Sequence, residues 1–433
     1  MPDPKLRSSF ALRIFILLGL ALGLLIPAFL VENIIMERQG RKAEAVAEVS
    51  GKWGGPQTIT GPVLSIPFES TVKNEKGVLT SKTHHVQLLP DSLVFDGTLT
   101  PELRSRGLYD VVLYGLNLKA SGNFDVTRAL AEAPKNSTPQ WADATLSLGI
   151  SDLRGVREHI TLRWNGARNE ARSGMGLCKV FSTGMHFTPT MDANAARQEF
   201  EFDLALNGSS DIRFVPVGRR TDVRMRSPWP SPSFIGDFLP VKRHVSADGF
   251  TAEWSALELN RSFPQAWQGH TFAEKSVAFG VSLLVGVDEY QKTLRTAKYA
   301  ALVIAFTFIA FFLSEVLAKE VLHPVHYTLV GFALLLFYML LLSLSEHMGF
   351  DAAYGIASGA VIVLISLYAR AIVAKKRIAA FVGSGLIVVY VFLYVLLQLE
   401  DYALLIGSFA LLLLLGLLMF LTRKVNWYGS SGA

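Results

Sequence analysis

ALRIFILLGLALGLLIPAFLV, Ala11 to Val31, is the stretch on which the fold turns. Only Arg13 interrupts its apolar character, and a helix of about 20 residues rises roughly 30 Å, the thickness of a bilayer's hydrocarbon core. A secretory signal would carry a shorter apolar run followed by small residues at a cleavage site. Here the run is long and Phe29-Leu30-Val31-Glu32 is bulky, so the stretch reads as an uncleaved membrane anchor. Pro27 should kink this helix or end its regular part.

Five more apolar runs lie in the C-terminal third, at roughly 299–319, 324–345, 352–372, 378–398 and 402–422. Short polar connectors separate them, which implies neighbouring antiparallel helices and six spans in all. Bases gather at Lys5/Arg7/Arg13, Lys319, Arg370–Arg377 and Arg423/Lys424, whereas the connectors Glu346–Asp351 and Glu400–Asp401 contain none. The positive-inside rule then places both termini in the cytoplasm and the acidic connectors outside. Arg38, Arg41 and Lys42 fall on the outer side, where a large translocated segment escapes that rule. Tyr299, Tyr354, Tyr402, Trp427 and Tyr428 fall at span ends and read as interfacial anchors.

The whole-chain figures follow from this division. The 433 residues are 51% hydrophobic and 18% charged with a formal net charge of +5, and the mean hydropathy is +0.35. A soluble protein carries about 25% charged residues, so the composition excludes a disordered or collagen-like chain and argues against a wholly soluble enzyme. Residues 32–298 hold 31 bases and 29 acids. No basic patch remains to support a nucleic-acid partner.

The organisation expected is a cytoplasmic start and first span over 1–31, a periplasmic domain over 32–298, a five-helix membrane domain over 299–424 and a cytoplasmic tail over 425–433. Residues 32–50 read as a polar extension of the first helix. Beyond Trp53 the pattern is β-rich. Phe200, Phe202, Leu204 and Leu206 alternate with polar neighbours, as do Ile160, Leu162 and Trp164, the period-two signature of half-buried strands. Asn165-Gly166, Asn207-Gly208 and Lys76-Gly77 supply turn chemistry, and Pro62, Pro67 and Pro216 suit edges or strand starts. The fold class is therefore a membrane protein of α + β type, with an antiparallel sheet or sandwich between the first and second of six spans. Its one cysteine, Cys178, leaves no internal disulfide, so the domain rests on its core.

No CxxC, HExxH, GxSxG or Walker A sequence occurs. His84-His85 falls in a strand, where adjacent side chains face opposite sides, and gives no metal site. Cys178 with His186 reads as core or loop rather than a reactive pair. The expectation is no catalytic residue, no cofactor and no metal. Ionisable groups near the membrane are the candidates for function, because charge in hydrocarbon is expensive. They are Glu315 one turn inside its span, His323 and His326 around Pro324, and Glu346 with His347 at the opposite end of that helix. Glu315 is expected to reach the interface or pair with Lys319. In the external domain, RMRSPWPSPSFIGDF (224–238) sets Trp229, Phe234 and Phe238 among turn-forming prolines, and is the candidate contact segment.

Several blocks together resemble the CreD family of bacterial inner-membrane proteins. They are WGGPQTITGPVLSIP from Trp53, FVPVGRRTDVRMRSPWPSPSFIGD from Phe214, SADGF from Ser246 and SFPQ from Ser262. After them come VDEYQKT from Val287, FFLSEVL from Phe311, and HPVHYTLVGFALLLFYMLLLSLSEHMGF from His323 with Ala353-Tyr354. The chain departs from the pattern at His326 and Asn426. The resemblance implies an integral inner-membrane protein tied to envelope integrity and stress responses, expressed under a two-component system, with no catalytic residues to carry over. The function expected is interaction of the external domain with an envelope component or another membrane protein, beside the lipid bilayer as constant partner. The alternative is transport of a small solute, ion or lipid through the bundle, centred on Glu315, His323 and His326. An envelope hydrolase would need an acid–base cluster that the sequence does not place.

Overall fold

The structure is a computed structural model that describes residues 10–73, 79–269, 277–283, 289–318, 322–372, 376–399 and 403–422. The chain divides into two compact units, one of residues 1–42 with 287–433 and one of residues 43–286.

The first unit is helical. It contains most of α1 (Phe10–Trp53), whereas α2 (Thr127–Glu132) is a single short turn in the other unit. The remaining helices are α3 (Glu289–Lys298), α4 (Ala300–Ala318), α5 (Pro324–Met348), α6 (Phe350–Ile372), α7 (Lys376–Gln398) and α8 (Ala403–Thr422). Among the described residues, α1, α5, α6 and α7 are each long and apolar enough to cross a membrane. The pair α3 and α4, bent by 45°, is a fifth candidate if it forms one span. Helices α4, α5, α6 and α7 pack side by side in a closed ring, and α8 lies against α7. Pro27 sits inside α1 without ending it.

Why α1 joins this bundle is visible in its burial. Leu24, Ala28, Val31 and Ile35 are buried, while Phe15, Leu18, Leu22, Ile26, Phe29 and Leu30 are exposed. The buried set follows i, i+4, i+7, i+11, one stripe of a helix. The exposed set is apolar too, the pattern of a helix with protein on one side and lipid on the other.

The second unit is a β-sandwich. In chain order its strands begin with β1 (Gln57–Lys73), β2 (Leu79–Leu88), β3 (Ser92–Arg106), β4 (Tyr109–Asp125), β5 (Ser137–Pro139) and β6 (Thr145–Ile150). There follow β7 (Thr161–Trp164), β8 (Ala167–Glu170), β9 (Arg172–Ser173), β10 (Gly184–Phe187), β11 (Arg197–Ser209) and β12 (Asp211–Val215). The last are β13 (Arg220–Ser227), β14 (Pro232–Gly236), β15 (Lys242–Ser246), β16 (Gly249–Leu257), β17 (Ala266–Gln268) and β18 (Phe279–Leu283). One sheet runs β14-β18-β12-β1-β6-β10-β9, with β2 and β5 paired to β1 and β17 paired to β2; the other runs β15-β16-β13-β3-β4-β11-β7-β8. The sheets are mostly antiparallel, but β1 pairs with β12 and β3 with β13 in parallel.

Aromatic rings from the two sheets meet in the core. Phe95 lies 5.2 Å from Phe214 and Trp254 lies 5.8 Å from Phe279, each pair spanning the gap between sheets. The alternation at Phe200–Leu206 and Ile160–Trp164 points inward as the period requires. Asn165-Gly166 is the two-residue turn joining β7 to β8. Asn207-Gly208, expected as a turn, lies instead within β11. A glycine is needed there for space: a Cβ on Gly208 would sit 2.3 Å from the Tyr114 hydroxyl. Pro62 and Pro67 occupy β1, an interior strand rather than an edge, with Pro62 at a break in the register between Thr60 and Val63. A bulge accommodates a residue with no N–H to donate. Lys76-Gly77 lies outside the described residues.

Candidate functional site

At the α1 start, the carboxylate of Glu315 in α4 is shared. The Arg13 guanidinium donates to it at 3.3 Å and the Tyr327 hydroxyl of α5 donates at 3.0 Å. Glu315 is 9% exposed, so a charge here needs those donors. The partner found is Arg13, 302 residues away in sequence; of the two expectations for Glu315, reaching the interface or pairing with Lys319, the second falls on a residue outside those described. On the same end of α5, His323 caps the helix. Its backbone is extended and its ring nitrogen accepts from the Val325 amide at 3.3 Å, while Pro324 has no N–H to satisfy. His326 points elsewhere, with Nδ1 2.7 Å from the Tyr368 hydroxyl of α6.

The other end of the bundle holds a second group. Glu346 accepts from the Tyr290 hydroxyl of α3 at 2.9 Å and lies 4.0 Å from Arg38 of α1. Lys42 stands 5.7 Å from the Tyr290 ring. His347 is exposed. Asp351 at the start of α6 accepts from Tyr394 and Gln398 of α7, both at 3.1 Å. Residues 13 and 38 are about 37 Å apart along a straight helix. The two groups are therefore separate staples, one near the start of α1 and one in its second half, and Glu315 and Glu346 do not form one site.

Inside the ring of helices the sequence reading missed a tyrosine cluster. Tyr354, expected at the membrane interface, is buried and donates to the Tyr390 carbonyl at 2.8 Å. Phe337 stands at the centre, 4.9 Å from Tyr338, 5.5 Å from Tyr354 and 4.8 Å from Tyr390. The signal that could have revealed it is spacing: Tyr338 and Tyr390 fall well inside their apolar runs, where an anchoring role does not apply. Tyr299 lies at the bend between α3 and α4, and Tyr402, Trp427 and Tyr428 lie outside the described residues.

In the β unit the outer face of the eight-stranded sheet is open and charged. Lys242, Glu253, Arg224, Asp96, Lys119 and Asp203 stand opposite one another in a row across six strands, with signs alternating throughout. Opposed charges of this kind favour this register over a slipped one. Lys119 also donates to Glu201 of a neighbouring row at 2.8 Å, and Arg163, opposite Glu201, lies 3.5 Å from the same carboxylate. That hydrogen bond lowers the Glu201 carboxyl below its ordinary range and raises the Lys119 amine. A cavity of about 670 Å³ opens over this face, lined among others by Asp96, Asn117, Lys119, His159, Arg163 and Asp203.

Trp229, Phe234 and Phe238 are half-buried against the sandwich core. Phe234 belongs to β14 and meets Phe250 and Trp254 edge-on at 6.0 and 5.8 Å; Phe238 meets Phe279 at 5.7 Å. The tract around them is largely strand, β13 and β14, and its rings pack toward the core. Cys178 is buried, and burial pushes its thiol up to about 11. His186 bonds the Gly174 carbonyl at 2.9 Å. His84 and His85 lie in β2 opposite Phe68 and Pro67. No group of three or more metal-ligating side chains comes together among the described residues.

The block beginning at Trp53 is a structural joint. Gly54 has φ 143°, and a Cβ there would lie 2.7 Å from the Asn207 carbonyl oxygen. The Gly55 amide donates to Asp152 at 2.9 Å, and the Gln57 amide group donates to the carbonyls of Asp152 and Asn207 at 3.0 Å each. Arg154 grips Asp152 and the Gly51 carbonyl at 2.7 Å, so the end of α1 is fastened to the sandwich. Likewise, Arg261 and Gln265 of the block around SFPQ bind the carbonyls of Val217 and Pro90. Burial depresses Arg261 to about 10.

Several apolar helices with a large β-sandwich inserted after the first define a multi-pass membrane protein that carries one folded domain outside its helical bundle. The family model of the inner membrane protein CreD matches residues 9–428. Over 433 residues the chain is 34% identical to the inner membrane protein CreD of Escherichia coli (strain K12), covering 98% of this chain and 95% of that one. The chain belongs to the CreD family of inner membrane proteins.

Proposed function

We propose that this chain is a six-span protein with both termini in the cytoplasm and its β-sandwich in the periplasm. There it supports envelope integrity or an envelope-stress response by non-enzymatic binding of an envelope component. The observation carrying this reading is the open face of the eight-stranded sheet. A soluble shell would need only solvated charge, but this face also has a cavity of about 670 Å³ bordered by both signs. It suits a hydrophilic partner that presents both charges, and its affinity would fall with salt because exposed pairs are screened within about 10 Å at 0.1 M. The half-buried rings Trp229, Phe234 and Phe238 are the rival contact surface.

A photo-crosslinking residue placed at Lys119 or Arg163, compared with one at Trp229, tests this in intact cells. Specific adducts at the first two positions support the reading. Adducts at Trp229 alone would transfer the contact to the aromatic tract, and none at any position would remove the binding function.

The transport alternative rests on Glu315, which Arg13 and Tyr327 already engage. A carboxylate tied to α1 in this way supports anchoring of that helix over ion relay. Full function of Glu315→Gln would dispose of the relay.

A further inference from the structure

The hydroxyls of Tyr338 and Tyr390 make no hydrogen bond to any described residue, although the two side chains are only 1% and 2% exposed. A buried hydroxyl without a partner is destabilising, and in a membrane no lipid chain can relieve it. Phenylalanine would avoid that cost, and Phe337 in the same cluster shows that the packing accepts one. Two such hydroxyls side by side therefore mark a place where something hydrogen-bonds to them.

The third neighbour narrows what it is. Tyr354 spends its proton on the Tyr390 carbonyl, which leaves its oxygen free to accept. The hydroxyls of Tyr338, Tyr354 and Tyr390 lie within electrostatic reach of one another. A buried water makes about three hydrogen bonds; two donors-or-acceptors and one acceptor are what this cluster offers. The groups are neutral and enclosed by rings, which suits water and does not suit an ion. Polar groups also lie nearby. Asp351 accepts from Tyr394 and Gln398 at the α6 start, and the Tyr394 ring is 5.3 Å from Tyr354. Tyr390 lies about 12 Å below Gln398 along α7.

We propose that the hydroxyls of Tyr338, Tyr354 and Tyr390 hold a resident water molecule inside the helical bundle, supplied from the Asp351 end. This site is separate from the charged face of the β unit and stands whether or not that face binds a partner.

The test is radiolytic labelling of the full chain in nanodiscs prepared in H₂¹⁸O, read residue by residue by mass spectrometry. Water held against a ring labels it despite burial, so ¹⁸O should enter Tyr338 and Tyr390 at rates comparable to the half-buried Tyr109 outside the bundle. Thermal unfolding of Y338F, Y390F and the double variant is the second measurement. Each single variant should lower the melting temperature, and the double variant should lose no more than the worse single, because one shared water is lost once. Unlabelled tyrosines with unchanged or raised melting temperatures would overturn the site. So would unlabelled tyrosines with losses in the variants, which would indicate a direct bond between the two hydroxyls.

Discussion

Replacing Gly331 with alanine tests whether α1 is a packed member of the bundle or a tether beside it. A Cβ on Gly331 would lie 2.1 Å from Leu24 Cδ1, 3.1 Å from its Cδ2 and 3.2 Å from its Cγ. Carbon atoms in contact prefer about 3.5–4.0 Å, so the nearest methyl must retreat by roughly 1.5 Å. Leu24 is 4% exposed and belongs to the buried stripe of α1, which limits that retreat. Overpacking of this kind costs about 1–3 kcal/mol. Leu24→Ala alone leaves a cavity and costs about 2–5 kcal/mol. Combined, the new methyl on residue 331 enters the space that Leu24 vacates, so the losses should not add; a coupling of about 1–3 kcal/mol in the favourable direction is expected. The assay is reversible unfolding of the purified chain in mixed micelles for the four members of the cycle. A neutral Gly331→Ala, or additivity within about 0.5 kcal/mol, would refute the packing of α1 on α5.

Three other places in the chain have expected outcomes of their own. Arg13→Ala should destabilise the bundle more than Glu315→Ala, since the first leaves a buried carboxylate with Tyr327 as its remaining donor whereas the Arg13 side chain is partly exposed, and the charge-swapped pair Arg13→Glu with Glu315→Arg should recover part of the loss in the same assay. Asp152, held down to about 2 chiefly by the hydrogen bond from Arg154 against an ordinary 3.8, contributes stability that is present above its ordinary value and is lost as pH falls through about 2; Asp152→Asn should flatten the acid limb of the unfolding curve in that window. Cys178, with its thiol raised to about 11 by burial, should resist maleimide near neutral pH in the native chain and react only on denaturation, which mass spectrometry of the labelled protein reads directly.

Much of the architecture is legible in the sequence because bilayers and sheets impose periods. The apolar runs in the C-terminal third mark the helices, and the alternation at Phe200–Leu206 marks a strand with one buried face. What stayed hidden depends on contacts between distant residues. Nothing local to Glu315 points to Arg13, because the pairing exists only when α1 lies along the α4–α5 edge. The Asn207-Gly208 dipeptide has turn chemistry, yet the Tyr114 ring claims the space beside the glycine and the chain stays extended. Tyr354 sits at a span end, where an anchoring role is the usual one, but α7 supplies a carbonyl that draws its hydroxyl inward. The charged row across the sheet is likewise invisible in one dimension, since its six members come from six strands.

In the orientation proposed, the β-sandwich and the helix ends that carry Glu346 and Asp351 face the periplasm. Cys178 is the chain's one cysteine, so a Cys178→Ala background permits single-cysteine mapping in intact cells with a membrane-impermeant maleimide. Cysteines at the exposed positions Lys242, His347 and Lys376 decide the matter together. The account predicts that positions 242 and 347 are labelled from outside and that position 376 is labelled only after the membrane is opened. Labelling of 376 in intact cells with 242 and 347 protected would contradict it.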